Sequence, residues 1–137
     1  MDLHLKGKRA VVLGGTRGIG RAIAETLAAE GADVAICARN AEQVEEAVAS
    51  LKKKGVRATG APVDIAKAAE LKAWVGDAAR ALGGLDILIS NASALTLGAH
   101  TEAWEQLLKI DILGAANPFE AARSHLEQAA TERGDAS

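Results

Sequence analysis

Short apolar runs alternate with helix-patterned stretches along this chain in strict order, and that alternation limits its fold more than any other feature. Residues 9–13 (RAVVL), 33–38 (DVAICA), 56–63 (VRATGAPV) and 85–90 (LDILIS) have the length and character of buried strands. A first helix is predicted from about Gly18 to Glu30, with Ile19, Ile23 and Leu27 at helical spacing and Gly31 as its terminator. Asn40, with Gln43 three residues on, resembles a capping box; Val44, Ala47, Val48 and Leu51 line the helix it opens, and Gly55 ends it. Asp64 is placed to cap a third helix, whose inward residues are Leu71, Trp74, Val75, Ala78 and Leu82. Gly83-Gly84 stops it. A final helix starts near Thr101 and carries Trp104, Leu107, Leu108 and Ile112; Pro118, inside that pattern, predicts a kink or break. The order β-α-β-α-β-α-β-α predicts an α/β fold, a doubly wound parallel sheet with helices on both faces and right-handed crossovers. A length of 137 residues suits one domain.

The joint between the first strand and the first helix is the barest. In LGGTRGIG (13–20) five of eight positions are Gly or small, and Gly14, Gly18 and Gly20 give the spacing G-x-x-x-G-x-G. Such a turn is tight, lets a pyrophosphate approach without Cβ atoms in the way, and lets the helix pack close to the strand. Free N–H groups and the positive end of the helix dipole then hold the phosphates. The glycines alone suit a structural turn equally well; their position after the first strand and before an amphipathic helix favours nucleotide binding.

The end of the second strand bears on which nucleotide. An acidic residue about 20 positions beyond the glycines bonds a ribose 2′-hydroxyl, whereas Arg accommodates a 2′-phosphate. Here the strand ends in Ala38 and Arg39, without an acid, and Arg17 in the glycine turn approaches the same corner. Two guanidiniums and no carboxylate favour NADP(H) over NAD(H).

Other classes of partner find little support. A net charge of −2 gives no electrostatic case for nucleic acid or an anionic membrane. No stretch approaches the ~20 apolar residues of a membrane span, and MDLHLKGKRA lacks the apolar segment of a signal peptide. The single cysteine, Cys37, excludes an intramolecular disulfide and suits a reducing compartment, so the expected location is cytoplasmic. The three scattered histidines make no metal-spacing signature.

KGKRAVVLGGTRGIGRAIAETLAAEGADVAICARN, VDI at 63–65 and LDILISNAS at 85–93 together resemble the short-chain dehydrogenase/reductase family. The resemblance runs along essentially the whole chain. It implies a Rossmann-type sheet in the order 3-2-1-4. It also implies that Gly14, Thr16, Arg17, Gly18, Ile19 and Gly20 form the cofactor loop, with Arg39 where NADP-preferring members often carry a basic residue. Asp64 would bond the adenine amino group, helped by the backbone of Ile65, a role compatible with capping. Asn91 and Ala92 would lie beside the adenine ribose. The implied reaction is hydride exchange between nicotinamide and a small ketone or secondary alcohol.

Several positions depart from the family pattern. Leu13 replaces a hydroxyl residue, Ser90 and Ser93 replace Asn and Gly, and Asp111 stands where the family carries an Asn of its proton relay. That catalytic role is not transferred to Asp111. The family's proton donor is a Tyr, tuned by a Lys four residues on and assisted by a Ser. These 137 residues contain no tyrosine. The expectation is therefore a cofactor-binding domain, residues 1–137, that stops before the catalytic segment and is inactive alone, with no catalytic residue assigned. A non-catalytic nucleotide-binding or assembly module is the alternative. Strand four would then be an open sheet edge. The resemblance further implies a homo-oligomer, since the helix bearing Trp104 and Leu107 matches one commonly buried between subunits; the same stripe equally suits an intramolecular core.

Overall fold

The computed structural model describes residues 2–94 and 99–137. Four strands, β1 (Arg9–Leu13), β2 (Asp33–Ala38), β3 (Ala58–Pro62) and β4 (Ile87–Ser90), pair in parallel in the order β3-β2-β1-β4. This is the Rossmann-type order implied by the resemblance. Between them run α1 (Gly18–Ala29), α2 (Ala41–Lys52) and α3 (Ala68–Leu82). After β4 come α4 (Thr101–Leu107), a π-helical turn (Leu108–Ile112) and α5 (Leu113–Arg133).

Alternation along the strands divides the core into two layers. Ala10, Val12, Val34 and Ile36 pack with Ala24, Leu27 and Ala28 of α1 and Ala47 and Leu51 of α2. Val11, Leu13, Ala35 and Cys37 face the other way, onto Leu71, Trp74, Val75, Ala78 and Leu82 of α3 and Ala122 of α5. Leu51, Leu71 and Leu82 are buried almost completely, each contributing about 1.5–3 kcal/mol relative to exposure.

Some expectations shift. The inner face of α1 is Gly20, Ala24, Leu27 and Ala28 rather than a stripe beginning at Ile19, which is 72% exposed. Ile19 sits in the first turn, at the end of α1 beside the glycine turn rather than over the sheet. Asp64 does not cap α3. Its Oδ1 accepts from the N–H of Ala66 at 3.0 Å and its carbonyl from the N–H of Lys67, a local Asx turn that delays the helix to Ala68. The strands are shorter than the apolar runs: Val56 and Leu85 lie outside them, and Arg57 and Asp86 make only a flanking bond each, Arg57 O accepting from Val34 N–H at 3.0 Å and Asp86 N–H donating to Arg9 O at 2.8 Å.

Pro118 does not break α5, which continues to Arg133. The irregularity falls about two to three turns earlier, in the π-helical turn. The outer edge of β4 is partly covered: Leu88 N–H donates to Ser137 O at 2.7 Å, and Ser137 N–H to Asp86 O at 2.6 Å. Gly134, with φ +91, turns the chain back to make this contact.

Candidate cofactor site

The parallel register brings the carboxyl ends of all four strands to one edge, with Leu13 level with Cys37 and with Ser90. The segments leaving β1 and β4 are fixed to the sheet by backbone hydrogen bonds. Gly14 and Gly15 N–H groups donate to Cys37 O at 2.9 and 3.3 Å, and Asn91 N–H to Leu13 O at 3.3 Å. From β1 the chain winds toward β2 on one side, while β4 returns on the other. That crevice is the topological switch point of the sheet, the usual ligand position in open α/β folds.

Each glycine of the turn meets a different demand. Gly14 has φ +71, and a Cβ there would lie 3.3 Å from the backbone of Ala92. Gly20 permits closer contact still, facing the Gly14 carbonyl and the Asn91 side-chain amide. Gly15, to which the sequence reading gave no role, lies against Ile36, whose Cγ2 would be 2.7 Å from an added Cβ. The doubled glycine was the available signal. Gly18 has φ +57 with nothing within 4 Å of the Cβ position, so its backbone borders open space. Directly before it, Arg17 occupies the N-cap of α1 in an extended conformation without a side-chain capping bond. By contrast Asn40 caps α2, its side chain accepting from Gln43 N–H at 3.0 Å. The first-turn amides of α1 thus lack the side-chain acceptor that α2 has, and α1 directs its positive dipole end into the crevice.

The remaining predicted residues ring this turn. Thr16 is buried, its hydroxyl 3.5 Å from Oε1 of Gln43, a long contact between the glycine turn and α2. Gln43 therefore does not complete a capping box, and sequence reading missed this role. Arg17 and Arg39 are exposed, and among the described residues neither forms an ion pair. Asp64 follows β3, which Val63 N–H ties to Ala38 O at 2.9 Å, next to Arg39. The side chain of Ile65 is buried and abuts Gly114, so only its backbone remains for a ligand. Burial pushes the Cys37 thiol up to about 12, against a smaller opposing effect from the Gly14 amide, so it stays protonated. His4 precedes β1 at the other end of the sheet, and His100 is the exposed N-cap residue of α4.

The segment after β4 contacts the irregular helix on its far side. Ser90 Oγ donates to the carbonyl of Gly114 at 3.2 Å, and Ala94 N–H donates to Oδ2 of Asp111 at 3.2 Å. Asp111 lies in the π-helical turn, whose widened register is common where helices serve sites.

This arrangement has close counterparts. The family model of the short chain dehydrogenases matches residues 8–135. An isoepoxydon dehydrogenase of Penicillium expansum is 36% identical over 127 residues, covering 90% of this chain and 49% of that protein. The crystal structure of a short chain dehydrogenase from Burkholderia cenocepacia in complex with NADP superposes with a TM-score of 0.85 at 39% identity, over 89% of this chain and 52% of that one. Carveol dehydrogenase from Mycobacterium avium in complex with NAD gives 0.85 at 28% identity, over 90% and 51%. The chain thus spans about half the length of these relatives. A match extending from the threshold of β1 to beyond α5, upheld by sequence and by strand order alike, means that this chain belongs to the short-chain dehydrogenase family.

Proposed function

We propose that residues 1–137 are the cofactor-binding domain of an NADP(H)-dependent oxidoreductase acting on a small ketone or secondary alcohol. The observation that carries this reading is the bare, uncapped start of α1 beside Gly18, flanked by two exposed arginines and by Ala38 rather than an acid. A Cβ at Gly14 or Gly20 would fill the space the turn needs, so the residues present fit a pyrophosphate. Gly14, Thr16, Gly18, Ile19 and Gly20 would hold it, with Ile19 offering an exposed apolar contact. Arg17 and Arg39 would take the 2′-phosphate, and Asp64, Ile65, Asn91 and Ala92 the adenosine. The bound nicotinamide supplies the hydride; the chain's own residues bind and orient it.

With no tyrosine among these residues, turnover in the family's manner requires groups they do not include. The same reading includes a cytoplasmic setting, in keeping with one buried, unpaired cysteine, and a homo-oligomer. No described helix is long and apolar enough to cross a membrane. Titration of the chain with NADPH and NADH, followed by ligand fluorescence, tests the central point. NADPH is expected to bind at least ~10-fold more tightly, since arginine–phosphate bonds are strong charge-assisted ones. Binding of neither nucleotide, or a preference for NADH, would sink the proposal.

A further inference from the structure

Two hydrogen bonds bracket the residues that carry the chain from β4 past the glycine turn. Before them, the Ser90 hydroxyl holds the Gly114 carbonyl; after them, Asp111 Oδ2 accepts from Ala94 N–H. Asn91 and Ala92 lie between, the first with its amide near Gly20 and the second against Gly14. Both partners across the gap belong to one short stretch of helix, the π-helical turn and the start of α5.

That stretch is built to be a partner. Pro118 has no N–H to offer the carbonyl four residues earlier, so the Gly114 oxygen is left for Ser90. Gly114 also has no side chain, and a Cβ there would be 3.2 Å from Ile65 Cδ1. The start of α5 therefore seats directly against the residue that follows Asp64. The π-helical turn contains Asp111, whose carboxylate meets the chain four residues beyond Ser90. Ser90 and Asp111, two departures from the family pattern, thus act at the two ends of one segment.

We propose that Ser90 and Asp111 are positioning residues that clamp residues 91–94 to the π-helical turn and the start of α5, and that this clamp sets cofactor affinity at the glycine turn. The second clause rests on the cofactor reading above. Asp111 works here as an acceptor, so an amide oxygen can replace its carboxylate and a methyl group cannot.

The test uses the full chain, D111A, D111N and S90A. Amide exchange of residues 91–94 is followed by NMR without cofactor, and NADPH affinity by fluorescence. Loss of one hydrogen bond corresponds to about threefold to tenfold. In D111A, Ala94 exchange should accelerate and NADPH affinity fall by about that factor, and D111N should restore both to within about twofold. S90A should loosen the same segment from its other end. The clamp is refuted if Ala94 exchange is unchanged in D111A, or if D111N is as impaired as D111A. Its link to affinity is refuted if exchange rises while NADPH binding stays constant. Should D111A not fold, S90A is decisive: unchanged exchange and affinity there overturn the proposal. Because exchange is measured without cofactor, failure of the wild type to bind NADPH would reject the cofactor reading and leave the clamp to be judged on exchange.

Discussion

Gly20 packs so closely on Gly14 that a Cβ on Gly20 would lie 2.0 Å from the Gly14 carbonyl oxygen and 2.6 Å from Asn91 Nδ2. Backbone rather than a flexible side chain stands in the way, so Gly20→Ala forces α1 from the sheet or opens the turn. We expect a stability loss above ~2 kcal/mol, on the scale of severe steric strain, and at least ~10-fold weaker NADPH binding. Gly55→Ala is the control: φ is +84 there but the Cβ position is open. It should cost about 1 kcal/mol and leave affinity unchanged. Thermal melts and NADPH titration of the two variants check this.

Arg17, in the glycine turn, and Arg39, directly after β2, are exposed, whereas Ala38, the last residue of β2, is half-buried. Arg39→Ala should weaken NADPH about 10-fold or more, the loss of a charge-assisted fork, and leave NADH nearly unaffected. Ala38→Asp should move the preference toward NADH by supplying a hydroxyl acceptor and repelling phosphate. Parallel titrations with both nucleotides measure the change, and equal effects on the two would argue against a 2′-phosphate site.

At the opposite edge of the sheet, Asp86 is buried and meets Arg9 Nε at 2.8 Å, Arg9 N–H at 2.8 Å and Arg133 Nη1 at 2.8 Å. Burial pushes its carboxyl up, but the Arg9 bonds and the charges of Arg9 and Arg133 outweigh that and hold it below the usual range. Glu25 is held down to about 2, first by the Ser50 hydroxyl and then, against burial, by Arg21 and Lys54. Both folded values lie below the unfolded ones. Their contribution is therefore full above about pH 4.5 and is lost as pH falls through the folded values, that of Glu25 being about 2. Asp86→Asn should cost about 3–5 kcal/mol at neutral pH, because it strands Arg9, and should flatten the acid limb. Urea melts from pH 7 to 3 show both effects.

The strand–helix alternation and the glycine turn were legible because each rests on local chemistry. Buried parallel strands need continuous apolar runs, and a phosphate-sized gap needs missing Cβ atoms. The cap at Asn40 was legible for the same reason. What escaped depends on contacts distant in sequence. Whether Ile19 faces core or solvent is decided by where α1 ends over the sheet. Pro118 frees the Gly114 carbonyl, and the donor that reaches it is Ser90, 28 positions earlier than the proline. Asp64 was misread as a cap because an Asx turn and an N-cap use the same residue types.

The last helices leave an apolar surface that the sequence could not assign. Trp104, Leu108, Ile112 and Phe119 are each more than half exposed, so this stripe is not core. In keeping with the proposed homo-oligomer, the chain should sediment as more than a monomer at micromolar concentration. The double variant Trp104→Lys, Ile112→Lys should sediment as a monomer with little change in melting temperature, since neither side chain is buried in the chain itself. A monomeric wild type would reject self-association through this face.

Ser90 and Pro118 should be energetically coupled although they need not touch. In the wild type, Ser90→Ala leaves the Gly114 carbonyl without its hydroxyl donor, and Pro118 cannot supply an N–H in its place. That loss should be about 1 kcal/mol. Pro118→Ala restores an amide at the position from which an α-helix normally bonds that carbonyl, so in this background Ser90→Ala should cost only a few tenths. The double-mutant cycle, read from urea melts of the four proteins, should thus give a coupling of about 0.5–1 kcal/mol. A coupling near zero would mean that the Ser90 bond to Gly114 is not what compensates for the proline. Then the continuity of α5 across Pro118 would have to rest on packing of the proline ring, which is itself buried.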